Sequence, residues 1–244
     1  MTRRICVWSG PRNISTALMY SFRQRPDTTV VDEPLYGHYL ATTGIWHPGR
    51  EETVAAMSTD GPAVIRDVIF GPSPTPVIFF KQMAHHLVGL DWSFLDGVTN
   101  VILTRDPRLV LASFTKNVAE VDADTTGLPM CVRLLDRILD TGDRPIVIDS
   151  RELLLDPPSV LGQLCSAVNI PPDDRMLSWP AGPKPEDGVW AEHWYATAHR
   201  STGFTPYQER TVELAEPVAA VAAECRPLYE RLLEHAITAE APAP

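Results

Sequence analysis

Short runs of consecutive apolar residues alternate along the chain with segments in which apolar residues recur every three or four positions. The runs are typical of strands buried on both faces, and the recurrences are typical of helices that pack one face on a core. Strands are predicted over residues 4–9, 28–32, 76–81, 97–104 and 144–149. This alternation predicts an α/β fold with a central parallel sheet of about five strands flanked by helices.

The helical segments are densest toward the C-terminus, so the last third of the chain is predicted to be mostly helical. Helices are predicted over residues 14–25, 51–57, 63–70, 109–117, 130–140 and 159–168, followed by a long C-terminal helix. Asn13 is the predicted N-cap of the first of them. Two helical faces are predicted to be buried: Val132, Leu135, Ile138 and Leu139 on one helix, and Leu214, Val218, Val221, Cys225, Leu228 and Leu232 on the last. We expect one domain over residues 1–236 and a disordered tail over residues 237–244.

Composition and charge exclude several classes of function. The 244 residues are 44% hydrophobic and 21% charged, as in an ordinary globular protein, and the net charge of −10 weighs against nucleic-acid binding. Cys6, Cys131, Cys165 and Cys225 are scattered without metal-ligand spacing, which predicts no metal site and a reducing cytoplasm. No apolar run approaches the length of a membrane span, and the first residues lack a secretory signal, so neither feature is expected.

The loop after the first strand combines the features of an anion-binding site. In parallel sheets, ligands bind beyond the carboxyl ends of the strands, and a helix N-terminus there supplies free N–H groups. The loop and the helix start contain a glycine, a cation and hydroxyl groups: Gly10, Pro11, Arg12, Asn13, Ser15 and Thr16. The Walker pattern is absent, because no second Gly-Lys follows. The alternative is a plain strand-to-helix turn without a ligand.

A second candidate site follows the fourth strand. Arg105 lies at the end of that strand, Pro107 follows it, and Ser113 comes eight residues after Arg105 in the next helix. An arginine binds phosphate through charge-assisted hydrogen bonds, and a serine hydroxyl adds a directional donor. The spacing predicts a phosphate-binding strand-to-helix junction.

These two motifs together resemble the sulfotransferases that use 3′-phosphoadenosine-5′-phosphosulfate (PAPS). Members of that family carry a 5′-phosphosulfate loop after the first strand and an Arg-x-Pro-x(5)-Ser stretch that binds the 3′-phosphate, which corresponds here to Arg105, Pro107 and Ser113. Cytosolic members also have a strand that ends in lysine, and Lys81 lies 24 residues before Arg105. The resemblance implies a P-loop NTPase-like sulfotransferase fold. The WSGPRN and DEPLY segments also resemble a domain called branched-chain-aminotransferase-like, although nothing in the sequence resembles a pyridoxal phosphate site.

The resemblance also implies roles for individual residues, and the chain departs from the family at two of them. Arg12 stands where the family's loop has a lysine, and Met83 stands where cytosolic members have a catalytic histidine. Glu33 matches the position of a glutamate base used by some bacterial and heparan-type members. His85 and His86 are the alternative bases. Lys81 is expected to contact the sulfuryl group, because a lysine at this edge of a sheet is costly without a nearby anion.

A late aromatic-rich segment completes the candidate residues. The family closes a late loop over the nucleotide, and the equivalents here are Arg200, Ser201 and Gly203. Trp190, Trp194 and Tyr195 either stack on an adenine, line an acceptor pocket or form an aromatic cluster that packs on the core.

The sequence therefore predicts a cytoplasmic sulfotransferase that moves a sulfuryl group from PAPS to a hydroxyl or amine of a small molecule and leaves adenosine 3′,5′-bisphosphate. No metal, nucleic acid or membrane is expected to take part. Two other functions stay open: a P-loop kinase that acts on a small molecule, and a nucleotide-binding protein without catalysis.

Overall fold

A computed structural model of the chain describes residues 2–116, 118 and 120–239. Its strands are β1 (Arg3–Ser9), β2 (Thr28–Asp32), β3 (Val77–Met83), β4 (Thr99–Thr104), β5 (Ile146–Asp149) and β6 (Ala236–Ile237). They form one parallel sheet in the order β2-β3-β1-β4-β5-β6. The predicted α/β architecture is therefore confirmed, with a sixth strand at one edge of the sheet.

The helices have the following bounds: α1 (Ser15–Arg23), α2 (Tyr36–Thr43), α3 (Arg50–Ala56), α4 (Gly61–Val64), α5 (Pro107–Phe114), α6 (Leu128–Asp140), α7 (Ser150–Leu155), α8 (Pro157–Ala167), α9 (Ala191–Trp194), α10 (Ala196–Arg200) and α11 (Glu216–Leu233). A π-helical turn (Ile65–Ile69) follows α4, and 3₁₀ turns lie at Ala84–Leu87, Trp92–Gly97, Asp124–Thr126 and Asp174–Leu177. Local signals explain where α5 begins. The Asp106 side chain accepts a hydrogen bond from the Arg108 N–H at 2.8 Å, and Pro107 has no N–H that needs an acceptor.

The sixth strand comes from the segment that was expected to be disordered. Ile237 pairs with Ile148 of β5, the Thr238 carbonyl accepts a hydrogen bond from Gln163, and the Ala239 N–H donates to Glu152. A strand of two residues gives no recognisable pattern beside the alanine- and proline-rich residues that follow it. The expected start of the disordered tail was therefore wrong for residues 237–239. Residues 240–244 lie outside the described residues.

The two predicted helical faces are rotated from their expected positions. Leu139 is 38% exposed, because α6 buries Leu128, Cys131 and Leu134 beside the expected residues. In α11 the buried positions are Ala222, Cys225, Tyr229 and Leu232, and residue 214 precedes the helix. Residues 201–215 contain no helix, so the C-terminal third is less helical than predicted.

The described chain divides into two compact units. Unit 1 contains the first residues through Val7, Thr16–Asn100 and Asp173–Phe204. Unit 2 contains Trp8–Ser15, Val101–Pro172 and the chain from Thr205 onward. The division concerns packing within the chain, and a single domain over residues 1–236 stays a prediction.

The core of each unit explains its local folding. In unit 1, β2 and β3 pair in parallel, and the Phe22 ring of α1 stacks on Phe79 of β3 with ring centroids 4.3 Å apart. In unit 2, β4 and β5 pair in parallel, and Tyr229 of α11 donates a hydrogen bond to the buried Asp149 at the end of β5.

Candidate functional site

The loop after β1 belongs to unit 2, and its backbone is held in an unusual conformation. Arg12 and Ile14 have φ values of 63° and 59°, in the left-handed region that is uncommon for residues with a side chain. A Cβ at Gly10 would lie 1.8 Å from the Thr126 carbonyl oxygen, so only glycine fits there. Packing against the 3₁₀ turn at Asp124–Thr126, rather than a ligand, therefore accounts for the glycine.

Three of the predicted phosphate-binding residues lie together in unit 2. The Arg12 Nε donates a hydrogen bond to the Ser113 Oγ at 3.0 Å, and the Arg105 Nη1 donates to the Arg12 carbonyl at 2.8 Å. Burial lowers the pKa of Arg105, and the charges of Arg12 and Arg210 lower it further. The pKa of Arg12 is also lowered by burial. An anion at this position would compensate for the energetic cost of burying these positive charges and for the repulsion between them.

Two buried polar atoms near this arginine pair have no hydrogen-bond partner among the described residues: the Asn13 Oδ1 and the Thr104 Oγ1. Asn13 instead donates through its Nδ2 to the Leu103 carbonyl at 3.2 Å. Its predicted role as an N-cap is therefore wrong, since the atom that would accept the cap bond has no partner. Thr104 is the last residue of β4 and was not singled out from the sequence, although its hydroxyl can donate to an anion.

The other predicted residues of this loop have different positions. Pro11 is half-buried beside Arg12, and Ser15 is buried at the first residue of α1. Thr16 is the second residue of α1 and belongs to unit 1. A binding role for these three residues stays a prediction.

Unit 1 contains a buried cluster of charged groups around Lys81. The register of β2 and β3 places Lys81 beside Asp32, and the Lys81 Nζ donates to the Asp32 Oδ1 at 2.9 Å. Lys81 also donates to the Glu33 Oε1 and, at 2.6 Å, to the Tyr195 hydroxyl. The ammonium group has three hydrogens, so these acceptors use all of them. With Lys81 only 1% exposed, the expected sulfuryl contact would require one of these bonds to break.

Backbone strain brings the two carboxylates to the same lysine. Successive residues of a strand point to opposite faces, so Asp32 and Glu33 would ordinarily diverge. Glu33 has a φ of 42°, in the left-handed region, and its N–H donates to the Lys81 carbonyl at 2.8 Å. This conformation follows directly on β2 and allows Asp32 and Glu33 to share Lys81. Such strain at a non-glycine residue is typical of functional sites.

The environment shifts the proton affinities of this cluster. Burial raises the pKa of Glu33, and the nearby charge of Asp32 raises it further, while the charge of Lys81 opposes both effects. Burial alone would lower the pKa of Lys81, but the charges of Asp32 and Glu33 outweigh it and the net shift is upward. Glu33 is thus a buried carboxyl with raised proton affinity next to a cation, as expected of a general base.

The two histidines that follow β3, His85 and His86, differ in their contacts with this cluster. His86 is 1% exposed, its Nε2 is 4.0 Å from the Glu33 Oε2, and its ring stacks on Tyr36 with centroids 4.9 Å apart. His85 packs edge-on against Tyr39 with centroids 4.8 Å apart. Burial lowers the pKa of His85 to about 3 and the pKa of His86 well below its usual value. Both rings are therefore neutral near pH 7. Of the two histidines, His86 rather than the predicted His85 lies beside the Glu33 carboxylate.

The late aromatic segment supplies residues that the sequence did not assign to the carboxylates. The Tyr195 hydroxyl lies 2.9 and 2.8 Å from the two Asp32 carboxylate oxygens, and the Trp190 Nε1 donates to the Tyr195 oxygen at 3.1 Å. Trp190 also packs edge-on against Tyr36. Of the three roles predicted for Trp190 and Tyr195, the aromatic cluster that packs on the core describes their contacts best. Trp194 packs at its margin.

The three residues expected to close over the nucleotide lie in unit 1. The Ser201 Oγ accepts a hydrogen bond from the Trp179 Nε1 at 3.0 Å, and Gly203 forms an antiparallel bridge with Ser178. Arg200 is exposed at the end of α10. These contacts hold Trp179 in place, so the nucleotide role of Arg200, Ser201 and Gly203 stays a prediction. Arg210 is a further cation, beside Arg12, whose charge acts on Arg105, and the sequence did not indicate it.

Two general features of the described residues bear on function. Over residues 2–116, 118 and 120–239, no group of three or more histidine, cysteine or acidic side chains is arranged to hold a metal ion. In the same part of the chain, no helix has both the length and the apolar composition needed to cross a bilayer.

Comparison with known proteins identifies similar sequences. The family model described as sulfotransferase domain matches residues 3–231. In Arabidopsis thaliana, branched-chain-amino-acid aminotransferase-like protein 2 is 39% identical over 232 residues, and protein 1 is 43% identical over 199 residues. The alignments cover 95% and 81% of this chain, but 41% and 36% of the two relatives. The chain thus spans less than half the length of these relatives.

Comparison with solved structures concerns the fold. A sulfotransferase from Alicyclobacillus acidocaldarius has a TM-score of 0.58 at 13% identity, over 97% of this chain and 98% of that one. The sulfotransferase domain from the curacin biosynthetic pathway has a TM-score of 0.52 at 15% identity, over 99% of each chain. These similarities confirm the predicted sulfotransferase fold.

Proposed function

Because the chain belongs to the sulfotransferase-domain family, we propose that it moves a sulfuryl group from PAPS to a hydroxyl or amine of a small molecule. The observation that carries the proposal is the arginine assembly of unit 2, in which Arg12, Ser113 and Arg105 are joined by two hydrogen bonds. Two adjacent guanidinium groups whose pKa values are lowered by burial favour a ligand with several negative charges.

The residues of unit 2 fit such a donor. Arg12 and the loop N–H groups would bind the phosphosulfate end, and Arg105 with Ser113 would bind the 3′-phosphate. The buried Thr104 hydroxyl, which lacks a partner among the described residues, is a further donor for an anion. PAPS supplies an activated sulfuryl group whose bond to the phosphate oxygen breaks as the acceptor oxygen or nitrogen bonds to sulfur.

The residues of unit 1 fit the proton transfer that the reaction requires. A hydroxyl nucleophile loses its proton as it attacks, and Glu33 has a carboxylate oxygen, Oε2, that is not the one bonded to Lys81. Lys81 opposes the rise in the pKa of Glu33 and orients its carboxylate through a hydrogen bond inside the buried cluster. The chain's own contribution is thus positioning, charge stabilisation and acceptance of one proton. We place this activity in the cytoplasm, as the reduced cysteines predict.

The test is turnover of PAPS labelled with radioactive sulfur in the presence of alcohols, phenols and amines. Labelled sulfate ester or sulfamate should form together with an equal amount of adenosine 3′,5′-bisphosphate, with and without EDTA. Transfer of the γ-phosphoryl group of ATP that requires magnesium would instead support a small-molecule kinase. Binding of the nucleotide without transfer to any acceptor would support a nucleotide-binding protein without catalysis.

A further inference from the structure

The hydrogen bonds of the Lys81 cluster distinguish the two carboxylates from each other. Asp32 accepts from Lys81 and from the Gly188 N–H at 3.3 Å, and the Tyr195 hydroxyl lies within 2.9 Å of both its oxygens. Glu33 accepts from Lys81 and lies 3.4 Å from the Tyr195 hydroxyl. Asp32 therefore has more donors than Glu33, and the Tyr195 hydroxyl lies closer to Asp32.

Tyr195 has one hydrogen to give, and its surroundings decide where that hydrogen goes. Lys81 and the Trp190 indole N–H both donate to its oxygen, which leaves the hydroxyl hydrogen for a carboxylate. The shorter distances direct it to Asp32. Burial, together with the charges of Asp32 and Glu33, raises the pKa of Tyr195 well above its ordinary value, so the phenol keeps this hydrogen.

On the basis of the proposed function, we propose that Tyr195 is a positioning residue for the reaction. By donating to Asp32 and accepting from Lys81, it keeps Asp32 as the fixed anion of the pair and leaves Glu33 as the carboxylate that takes the acceptor's proton. In that step a lone pair of the acceptor oxygen or nitrogen forms the new bond to sulfur, and the bond from sulfur to the phosphate oxygen of PAPS breaks, which releases adenosine 3′,5′-bisphosphate. The acceptor's O–H or N–H bond breaks as well, its proton moves to Glu33, and its electron pair stays on the acceptor atom. The lysine then serves as the counter-ion of the two carboxylates.

Several titratable groups face Glu33 and must be considered in any pH dependence. They come from β2, β3, the turn after β3, α2 and the segment between α9 and α10: Asp32, Lys81, His86, Tyr36 and Tyr195. His86 is neutral over the working range because its pKa lies well below its usual value, and Tyr36 is neutral because its pKa is raised. Burial has the largest effect on the proton affinity of Glu33, and among the groups that face it the charges of Lys81 and Asp32 act most strongly.

Removal of the phenol hydroxyl changes the hydrogen bonding of the lysine that Glu33 shares with Asp32 and Tyr195. In Tyr195→Phe, Lys81 loses one of its three acceptors and becomes more available to Glu33, which lowers the pKa of Glu33. The loss of the 3.4 Å contact to Glu33 acts the other way, but it is the longest of these contacts.

The experiment is the pH profile of kcat/KM for Tyr195→Phe. The acidic limb should move to lower pH by roughly one unit, a tenfold change in proton affinity, and the plateau should fall because a weaker base removes the proton less well. The KM for PAPS should stay unchanged. Tyr229→Phe, which removes a buried tyrosine–aspartate bond in unit 2, is the matched control and should leave the limb in place. A Tyr195→Phe limb at the wild-type position, or at higher pH, would overturn the proposal.

Two further measurements keep the proposal separate from the proposed function and from misfolding. Isotope-edited infrared titration of the protonated carboxyl group needs no turnover, and its signal should vanish in Glu33→Gln but persist in Asp32→Asn. The reverse result would overturn the role of Tyr195, whereas absence of sulfuryl transfer by the wild-type protein would overturn the proposed function alone. Trp190→Phe keeps an aromatic ring and removes the donor to Tyr195. It should move the midpoint of this infrared titration to lower pH, as Tyr195→Phe should, but by a smaller amount.

Discussion

The arginine assembly of unit 2 and the lysine cluster of unit 1 use charge in opposite ways. In unit 2, burial and the repulsion between like charges both act against Arg105, and a buried hydroxyl at Thr104 lacks a partner among the described residues. In unit 1, by contrast, every hydrogen of the Lys81 ammonium has an acceptor within the protein. The first arrangement gains from an anionic ligand, whereas the second is complete without one.

This difference separates binding from chemistry. A group of cations that repel one another is stabilised by what it binds, so changes there should alter nucleotide affinity. A carboxylate pair that already has its counter-ion is ready to exchange a proton, so changes there should alter turnover or stability.

Replacement of Glu33 should have the largest effect, and it should fall on turnover. Glu33→Gln keeps the shape of the side chain but cannot accept the proton, so kcat should fall by about 10²–10⁴. Affinity for adenosine 3′,5′-bisphosphate, measured by calorimetry, should stay within a factor of about two, because the residues proposed to bind it lie in unit 2. His85→Asn is the control, and it should keep most of the activity. Full turnover in Glu33→Gln combined with inactivity in His85→Asn or His86→Asn would make a histidine the base.

Removal of the cation of unit 1 should mainly reduce stability. Lys81→Met leaves two buried carboxylates without their counter-ion, which should lower the free energy of unfolding by about 3–5 kcal/mol in urea titrations. Lys184→Met is the matched control in the same unit, because Lys184 is 9% exposed and its ammonium donates to the Gly182 carbonyl rather than to a carboxylate. Lys184→Met should lower the free energy of unfolding by no more than about 1.5–3 kcal/mol.

A second change distinguishes loss of the counter-ion from loss of packing. Adding Glu33→Gln to Lys81→Met removes one of the unpaired charges and should restore part of the stability. An equal loss in Lys81→Met and Lys184→Met, with no recovery in the double variant, would contradict the description of Lys81 as a counter-ion.

The histidines of unit 1 predict how stability depends on pH. His85 has a pKa of about 3 in the folded protein, compared with about 6.5 in the unfolded chain. Because the folded state binds the proton more weakly, the stability contribution is complete above pH 6.5 and is lost as the pH falls. At about 1.36 kcal/mol per unit, the loss between pH 6.5 and 4.5 is roughly 2–3 kcal/mol. Urea titrations of His85→Asn should show a shallower decline over this range, and an unchanged slope would contradict burial of a neutral ring.

Most of the fold and part of the site could be predicted from the sequence. The five main strands have strong apolar runs, and the sixth has only two residues, which no periodicity can reveal. Arg12 and Arg105 were predicted because each follows the end of a strand, and Ser113 was predicted from its spacing to Arg105. The structure joins the three residues by hydrogen bonds. Residues at the ends of parallel strands are the ones whose position the chain order constrains best.

The remaining site residues depend on contacts that spacing does not encode. Tyr195 is separated from Lys81 by 114 positions and reaches it only through tertiary folding. The shared lysine of Asp32 and Glu33 depends on a left-handed φ at a residue for which that conformation is uncommon. Thr104 looked like an ordinary strand residue, since only the structure reveals that its buried hydroxyl lacks a partner among the described residues.

The preference of the protein for a 3′-phosphate is the sharpest test of the arginine assembly in unit 2. Calorimetric titration should give tighter binding of adenosine 3′,5′-bisphosphate than of AMP, and Arg105→Ala should remove the difference. A charge-assisted contact of about 1.5–3 kcal/mol corresponds to a preference of roughly tenfold to more than a hundredfold. Arg108, an exposed arginine of α5, donates to the Val212 carbonyl, and Arg108→Ala should keep the preference. Equal affinities of the wild-type protein for the two nucleotides would contradict the assignment of this site.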